Sequence, residues 1–159
     1  MRSIERAAPL QASKTVIVSG TPREVLELVL DLEAYRAVDP KIRRITQRPE
    51  LDGDGWGTAR IVGSLWHLPP APDTHVVHLE PWRQVTFSGA PGVAARAIYS
   101  FTATFEVAEG DQGTRLTRSC EVTFRQPLHA LFGGSIQRWL DAELADELVR
   151  LQGRLALAR

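Results

Sequence analysis

Thiols are all but absent: Cys120 is the single cysteine in 159 residues. A lone cysteine excludes an intramolecular disulfide and any multi-thiolate metal site, and it fits a reducing compartment, so a cytoplasmic location is expected. Net charge is missing too. Nineteen Lys and Arg balance nineteen Asp and Glu, which removes the whole-molecule field that would draw the chain to nucleic acid or an anionic membrane. No apolar run approaches the roughly 18 residues of a membrane span. Met1 to Ser13, with charges at Arg2, Glu5 and Arg6, reads as neither signal peptide nor anchor. The one basic cluster, Lys41, Arg43, Arg44 and Arg48, falls on both faces of an expected strand and reads as a solvated edge.

What is present is punctuation. Lys14 to Ser19 is a β-branched strand ending at Gly20. Thr21, Pro22 and Glu24 then mark a helix start: an N-cap hydroxyl, a proline in the first turn, and a glutamate three residues after the cap that reaches back to it. Val25, Leu28, Val29 and Leu32 form the apolar stripe of that helix. A second short helix is expected over 31–38, ending before Pro40 because the residue preceding a proline is pushed out of the α region. Strands are expected at 42–47, 55–67, 74–79, 84–88, 95–107 and 114–125, joined by short Gly-, Pro- and Asp-rich links that imply antiparallel hairpins. Pro127 opens the longest helical pattern, Leu128 to about Leu157, with a bend expected at Gly133-Gly134.

The predicted fold class is therefore α+β, a curved antiparallel sheet of about seven strands wrapped around a long C-terminal helix, with two short helices after the first strand. Residues 14–159 are read as one domain and 1–13 as a tail or an extra edge segment.

Alternation shows which side chains face inward. Tyr99, Phe101, Ala103, Phe105 and Val107 share one face of their strand, and Leu116, Cys120, Val122 and Phe124 share one face of the next, where Arg118 interrupts them. A charge in that position needs a partner. On the long helix, advancing 100° per residue from Leu140 places Ile136, Leu144, Leu148, Leu151 and Leu155 within about 80°, Glu147 about 20° away and Glu143 about 60° away. A carboxylate facing Arg118 is expected, either as a structural ion pair or as part of a site. Trp139, about 100° from Leu140, edges the stripe.

The order of strand, paired short helices, six-strand meander and long amphipathic helix resembles the helix-grip fold of the START-like (SRPBCC) superfamily, which includes polyketide cyclases and dehydratases. Val16-Ile17-Val18 running into Thr21-Pro22-Arg23-Glu24-Val25 and Asp31-Leu32-Glu33-Ala34-Tyr35 is similar to the family's opening, Gly113-Thr114-Arg115-Leu116-Thr117 to its last hairpin, and Pro127-Leu128 through Leu151 to its final helix. The resemblance covers about residues 14 to 157. It implies an internal apolar cavity, since members carry or modify polyketides, lipids, quinones and plant hormones, while others bind proteins. Aromatase/cyclase members use interior arginine and tyrosine residues, which makes Arg118, Glu147 and Tyr99 the candidate catalytic groups. The expected ligand contacts are Trp66, Tyr99, Phe101, Phe105, Arg118, Ile136, Trp139, Leu140, Glu143, Leu144 and Glu147.

No cofactor or metal is expected. His75 and His78 lie three apart on a strand and point to opposite faces. Gly53-Asp54-Gly55 lacks the strand-to-helix context of a phosphate loop, and Gly133-Gly134-Ser135 is no nucleophile elbow. Three functions follow. The first is binding or transport of an apolar small molecule, polyketide-like, aromatic or lipid-like. The second is a cyclase, aromatase or dehydratase using the cavity's polar residues. The third is a protein-interaction module with a filled interior, as a monomer or homodimer.

Overall fold

The computed structural model describes residues 7–90 and 92–158. Residues 1–6 of the expected tail, Pro91 of the 89–92 link and Arg159 lie outside them. Seven strands form one antiparallel sheet: β1 Leu10–Val18, β2 Ile42–Gln47, β3 Trp56–Gly63, β4 Ala71–Glu80, β5 Gln84–Gly89, β6 Tyr99–Gly110 and β7 Gly113–Phe124. Their order is β1-β7-β6-β5-β4-β3-β2. Short links make each consecutive pair from β2 to β7 a hairpin neighbour, and β1 lies beside β7, from Leu10 opposite Val122 to Val18 opposite Thr114.

Helices α1, Pro22–Leu30, and α2, Leu32–Tyr35, connect β1 to β2. The reciprocal cap of α1 forms as its sequence dictates: Glu24 N donates to Thr21 Oγ1 at 3.2 Å and Thr21 N to Glu24 Oε2 at 2.8 Å. Asp31 Oδ1 caps α2, accepting from Ala34 N at 3.2 Å.

Helix α3, Leu128–Leu157, crosses the sheet as one unbroken helix, with Gly133 and Gly134 in helical backbone. Buried Ile136 and half-buried Leu128 anchor the helix on both sides of the glycines. It lies against β1, where Gln137 Nε2 donates to Gln11 O at 2.7 Å and Gln152 Nε2 to Ile17 O at 2.9 Å. An edge strand carries unpaired backbone groups, and the two amides satisfy part of that edge.

Several boundaries differ from expectation. β1 begins at Leu10, β4 at Ala71 and β6 at Tyr99, where an alanine-rich 3-10 turn, Ala94–Ala97, replaces the expected start of the strand. β3 ends at Gly63, so Trp66 stands in the following loop, with a left-handed φ of 52°.

The concave face is apolar with charged interruptions. Asp73, His75, Val77 and Leu79 of β4, Val85 and Phe87 of β5, Ala103, Phe105 and Val107 of β6, and every second residue of β7 from Leu116 to Phe124 are buried there. The core falls into two clusters. One joins Val25, Val29, Tyr35, Phe105 and Leu116 to Leu148 and Leu151. The other joins Cys120, Val122 and Phe124 to Ile136, Leu140 and Leu144.

Candidate functional site

Arg118 stands at the seam of those two clusters, between Leu116 and Cys120 on β7, and Glu147 stands at the same seam on α3, between Leu144 and Leu148. Arg118 Nε donates to Glu147 Oε1 at 3.0 Å, Arg118 Nη1 donates to Ser119 O at 2.6 Å, and the guanidinium carbon sits 4.4 Å from the centre of the Phe105 ring. Glu147 is shared further. The Tyr35 hydroxyl donates to Oε1, and Lys41 Nζ donates to Oε2 at 3.2 Å while also lying 2.8 Å from Asp39 Oδ1. Glu143 lies at the periphery, 3.7 Å from Lys41 Nζ and 3.9 Å from Arg150 Nη2.

The electrostatics follow from this crowding. Burial by itself would raise the Glu147 carboxyl, but the charges of Arg118 and Lys41, with the hydrogen bonds from Tyr35 and Arg118, outweigh it and hold the group down at about 2. Burial, and then the Glu147 charge, push Tyr35 well above its ordinary range. Burial works against the charge on Lys41, yet Asp39 and Glu147 leave it raised on balance. At neutral pH Arg118 and Lys41 are thus held as cations and Glu147 as a carboxylate, and Tyr35 keeps its proton.

A second polar group stands on β4 and β6. His75 Nε2 lies 3.2 Å from Asp73 Oδ2, the Tyr99 hydroxyl donates to the same oxygen at 3.3 Å, and Arg96 Nη2 donates to Asp73 Oδ1 at 2.7 Å. Burial raises the Asp73 carboxyl, and the His75 hydrogen bond and charge, Arg96 and the Thr74 N–H together bring it below its ordinary value. Burial, then Asp73, raise Tyr99 to about 12. Since Nε2 faces a carboxylate it carries the imidazole proton, and Nδ1 is buried without a partner.

Between these two groups lies a cavity of about 90 Å³, several times the ~10–15 Å³ that one water needs. Its apolar wall includes Leu32, Ile42, Ala59, Ile61, Leu65 and Phe87, and Tyr35, Asp39, Lys41, Asp73, His75 and Arg118 supply its polar points. Of the expected contacts, Tyr99, Phe101, Phe105 and Arg118 line it. Trp66, Ile136, Trp139, Leu140, Glu143, Leu144 and Glu147 are not among its lining residues. Ile136, Leu140 and Leu144 are buried in the second apolar cluster, with Trp66 and Trp139 packed against it, and Glu147 is buried and bonded to Arg118, which does line the cavity. Trp66 has also left β3, and its ring packs 5.3 Å from that of Phe132.

Sequence reasoning missed Tyr35, Asp39, Lys41, Asp73, His75 and Arg96 as members of the site. The parity of β4 was the available signal, because Asp73 and His75 share a face with Val77 and Leu79. Among the described residues, no group of three His, Cys, Asp or Glu side chains is placed to hold a metal ion, and no helix is long and apolar enough to cross a membrane.

Chemically, the arrangement offers an apolar slot with a neutralised ion-pair network at one side and a carboxylate-oriented imidazole at the other. A family model described as polyketide cyclase / dehydrase and lipid transport matches residues 9–156. A search of curated proteins finds no match. Among solved structures, a START superfamily protein from Mycobacterium smegmatis is 19% identical, with a TM-score of 0.74 over 94% of this chain and 99% of that one. The Zhui aromatase/cyclase from Streptomyces sp. R1128 is 16% identical, with a TM-score of 0.64 over 93% and 92%. The di-domain ARO/CYC StfQ of the steffimycin biosynthetic pathway is 10% identical, with a TM-score of 0.71 over 94% of this chain. The chain spans about half the length of that protein, 51%. At these identities the likeness is one of fold, the helix grip.

Proposed function

Because this chain belongs to the polyketide cyclase / dehydrase and lipid transport family, we propose that it binds an apolar small molecule, aromatic, polyketide-like or lipid-like, in the cavity between the sheet and α2. One observation carries this reading. The open interior is walled by aliphatic and aromatic side chains, while the charges at its wall on Arg118, Lys41 and Asp39 are already paired within the protein. Such a cavity selects by shape, with a few polar groups to orient the guest. Burying apolar surface of the guest supplies about 25 cal/mol per Å² toward binding.

Native mass spectrometry of freshly purified chain, followed by fluorescence titration with 2-naphthol, tests the reading. A co-purifying apolar mass, or saturable naphthol binding lost in Ala103→Leu, supports it, because Ala103 lines the cavity and a larger side chain there fills the space. A chain that carries no apolar mass and binds no naphthol overturns it.

A second reading, cyclisation or dehydration of a polyketide-like substrate, has its own support. His75 lines the cavity, and its Nε2 is oriented by Asp73 while Nδ1 has no partner. That is the pattern of an imidazole able to take a proton from a hydroxyl or an activated methylene. Tyr99 stands beside it with its hydroxyl on Asp73. Arg118 enters this reading as a clamp for a substrate carbonyl or enolate oxygen, with Glu147 holding its orientation. With a confirmed substrate, loss of turnover in His75→Phe assigns proton transfer to the imidazole, and loss in a folded Arg118→Ala assigns the clamp. Unchanged turnover in both removes catalysis by these groups.

A further inference from the structure

Helix α3 buries one side against the sheet and leaves the opposite side bare. Val149 marks the middle of that outer side, about 160° or more round the helix from buried Leu140, Glu147 and Leu151. Of the residues within about 60° of Val149 over 131–156, Arg138 and Asp146 alone are charged. Ser135 and Gln152 are the other polar ones, and both are engaged within the chain: Ser135 Oγ accepts from Arg138 Nη2 at 3.2 Å, and Gln152 Nε2 donates to Ile17 O at 2.9 Å. The rest are apolar or glycine, among them Leu131 at 69% and Val149 at 67% exposure.

Two features of this face have no use within one chain. Arg138 and Asp146 stand about 12 Å apart along the axis, too far to pair on one helix, and neither makes an ion pair among the described residues. Gly153 lies in helical backbone, and a Cβ added there would meet nothing within 4 Å. Glycine is a poor helix former, so packing within the chain gives no reason for one at this position.

We propose that the outer face of α3 docks on the same face of a second copy of this chain, the two helices running antiparallel about a two-fold axis beside Ala142. Such an axis sets residues equally far on either side of Ala142 against each other. Arg138 of each copy then comes level with Asp146 of the other, within reach of its long side chain, and two ion pairs form. Leu131 meets the gap left by Gly153, and Ala142 crosses its own counterpart, small enough to let the backbones approach. Charge fixes the direction, because parallel helices would set arginine against arginine and aspartate against aspartate. One helix face covers less than the ~1,200 Å² of a standard interface, so the dimer is weak, with a Kd in the micromolar range, and it loosens as salt rises. The cavity is lined from other elements, so the docking goes beyond the cavity-binding reading and does not depend on it.

The test is sedimentation velocity of the full chain from low micromolar to submillimolar concentration, where a monomer–dimer equilibrium is expected. Val149→Glu and the charge reversals Arg138→Asp and Asp146→Arg should each weaken the dimer by roughly tenfold or more. The two reversals combined should recover most of what each loses, because the pairs re-form with their signs exchanged. Arg44→Asp, a reversal of an exposed charge on β2, should leave the dimer unchanged. All four positions are solvent-facing, and a thermal melt verifies that each variant folds. A monomer at every concentration, a dimer that the α3 variants leave intact, an equal loss in Arg44→Asp, or a double reversal no better than the single ones overturns the proposal. Naphthol titration reads the cavity separately, so either reading can fail without the other.

Discussion

Arg118 Nε lies 3.0 Å from Glu147 Oε1, with the two side chains 3% and 1% exposed, and this contact bridges the two apolar clusters of the core. Removing one partner leaves the other charge buried, at a cost of about 3–5 kcal/mol, whereas replacing both by apolar groups often costs little. Arg118→Met and Glu147→Leu should therefore each destabilise strongly, and the double variant should lose far less than the sum of the two. Urea unfolding of the four proteins measures this, and additive losses would mean that the pair is not energetically coupled.

Acid should dismantle both polar groups. Glu147 is held near 2, below its ordinary 4.5, and Asp73 lies below its ordinary 3.8. A carboxyl depressed on folding contributes stability that is fully present above its unfolded value and is lost as pH falls through the folded one. Stability should therefore be level from neutral pH to about 5 and fall steeply between about 4.5 and 2. Lys41 and Arg118 are raised on folding, so their contributions are complete throughout that window. Urea midpoints measured across the acid range check this, and a curve without the acid fall would contradict the assigned pairing.

Cys120 should be inert in the folded protein. It is buried, and burial pushes its thiol up to about 11, so little thiolate forms near neutral pH. Labelling by a disulfide reagent should occur only through unfolding, with a rate that follows urea concentration. Fast labelling without urea would place the thiol in an open part of the interior.

The frame of the molecule was legible because caps, turns and alternation are local. Thr21 and Glu24 announce α1 by themselves, and the parity of Leu116 to Phe124 placed Arg118 inside before any partner was known. Helical spacing found Glu147 in the same way. The cavity wall was harder, since a stripe such as Ile136, Leu140 and Leu144 says that a face is buried but not against what. Lys41 was hidden among neighbouring arginines that do face solvent, and its partial burial arises only because it stands just before β2, beside Asp39 and α3. Asp73 was hidden by a strand that starts three residues earlier than its prolines suggest. Arg96 comes from a turn whose position depends on β4 and β5 together.

Gly89 and Arg96 form the last testable pair. Gly89 sits on β5 opposite His75, and a Cβ built there would lie 1.9 Å from the Arg96 guanidinium carbon and 2.0 Å from its Nη2. The guanidinium thus occupies the space where any other residue would carry a side chain, and from there it reaches Asp73. Because Arg96 is flexible, Gly89→Ala should expel it rather than break the strand. The carboxylate then keeps His75 and Tyr99 but loses its cation, which should cost about 1–3 kcal/mol and move the Asp73 titration upward in an NMR experiment. In an Arg96→Ala background the space is already empty. There the same Gly89→Ala change should be neutral or stabilise by up to about 1 kcal/mol, through the reduced freedom of the unfolded chain. Such a reversal of sign is a coupling that only residues in contact display. Equal destabilisation in both backgrounds would show instead that Gly89 is needed for the strand itself, and that Arg96 reaches Asp73 by another route.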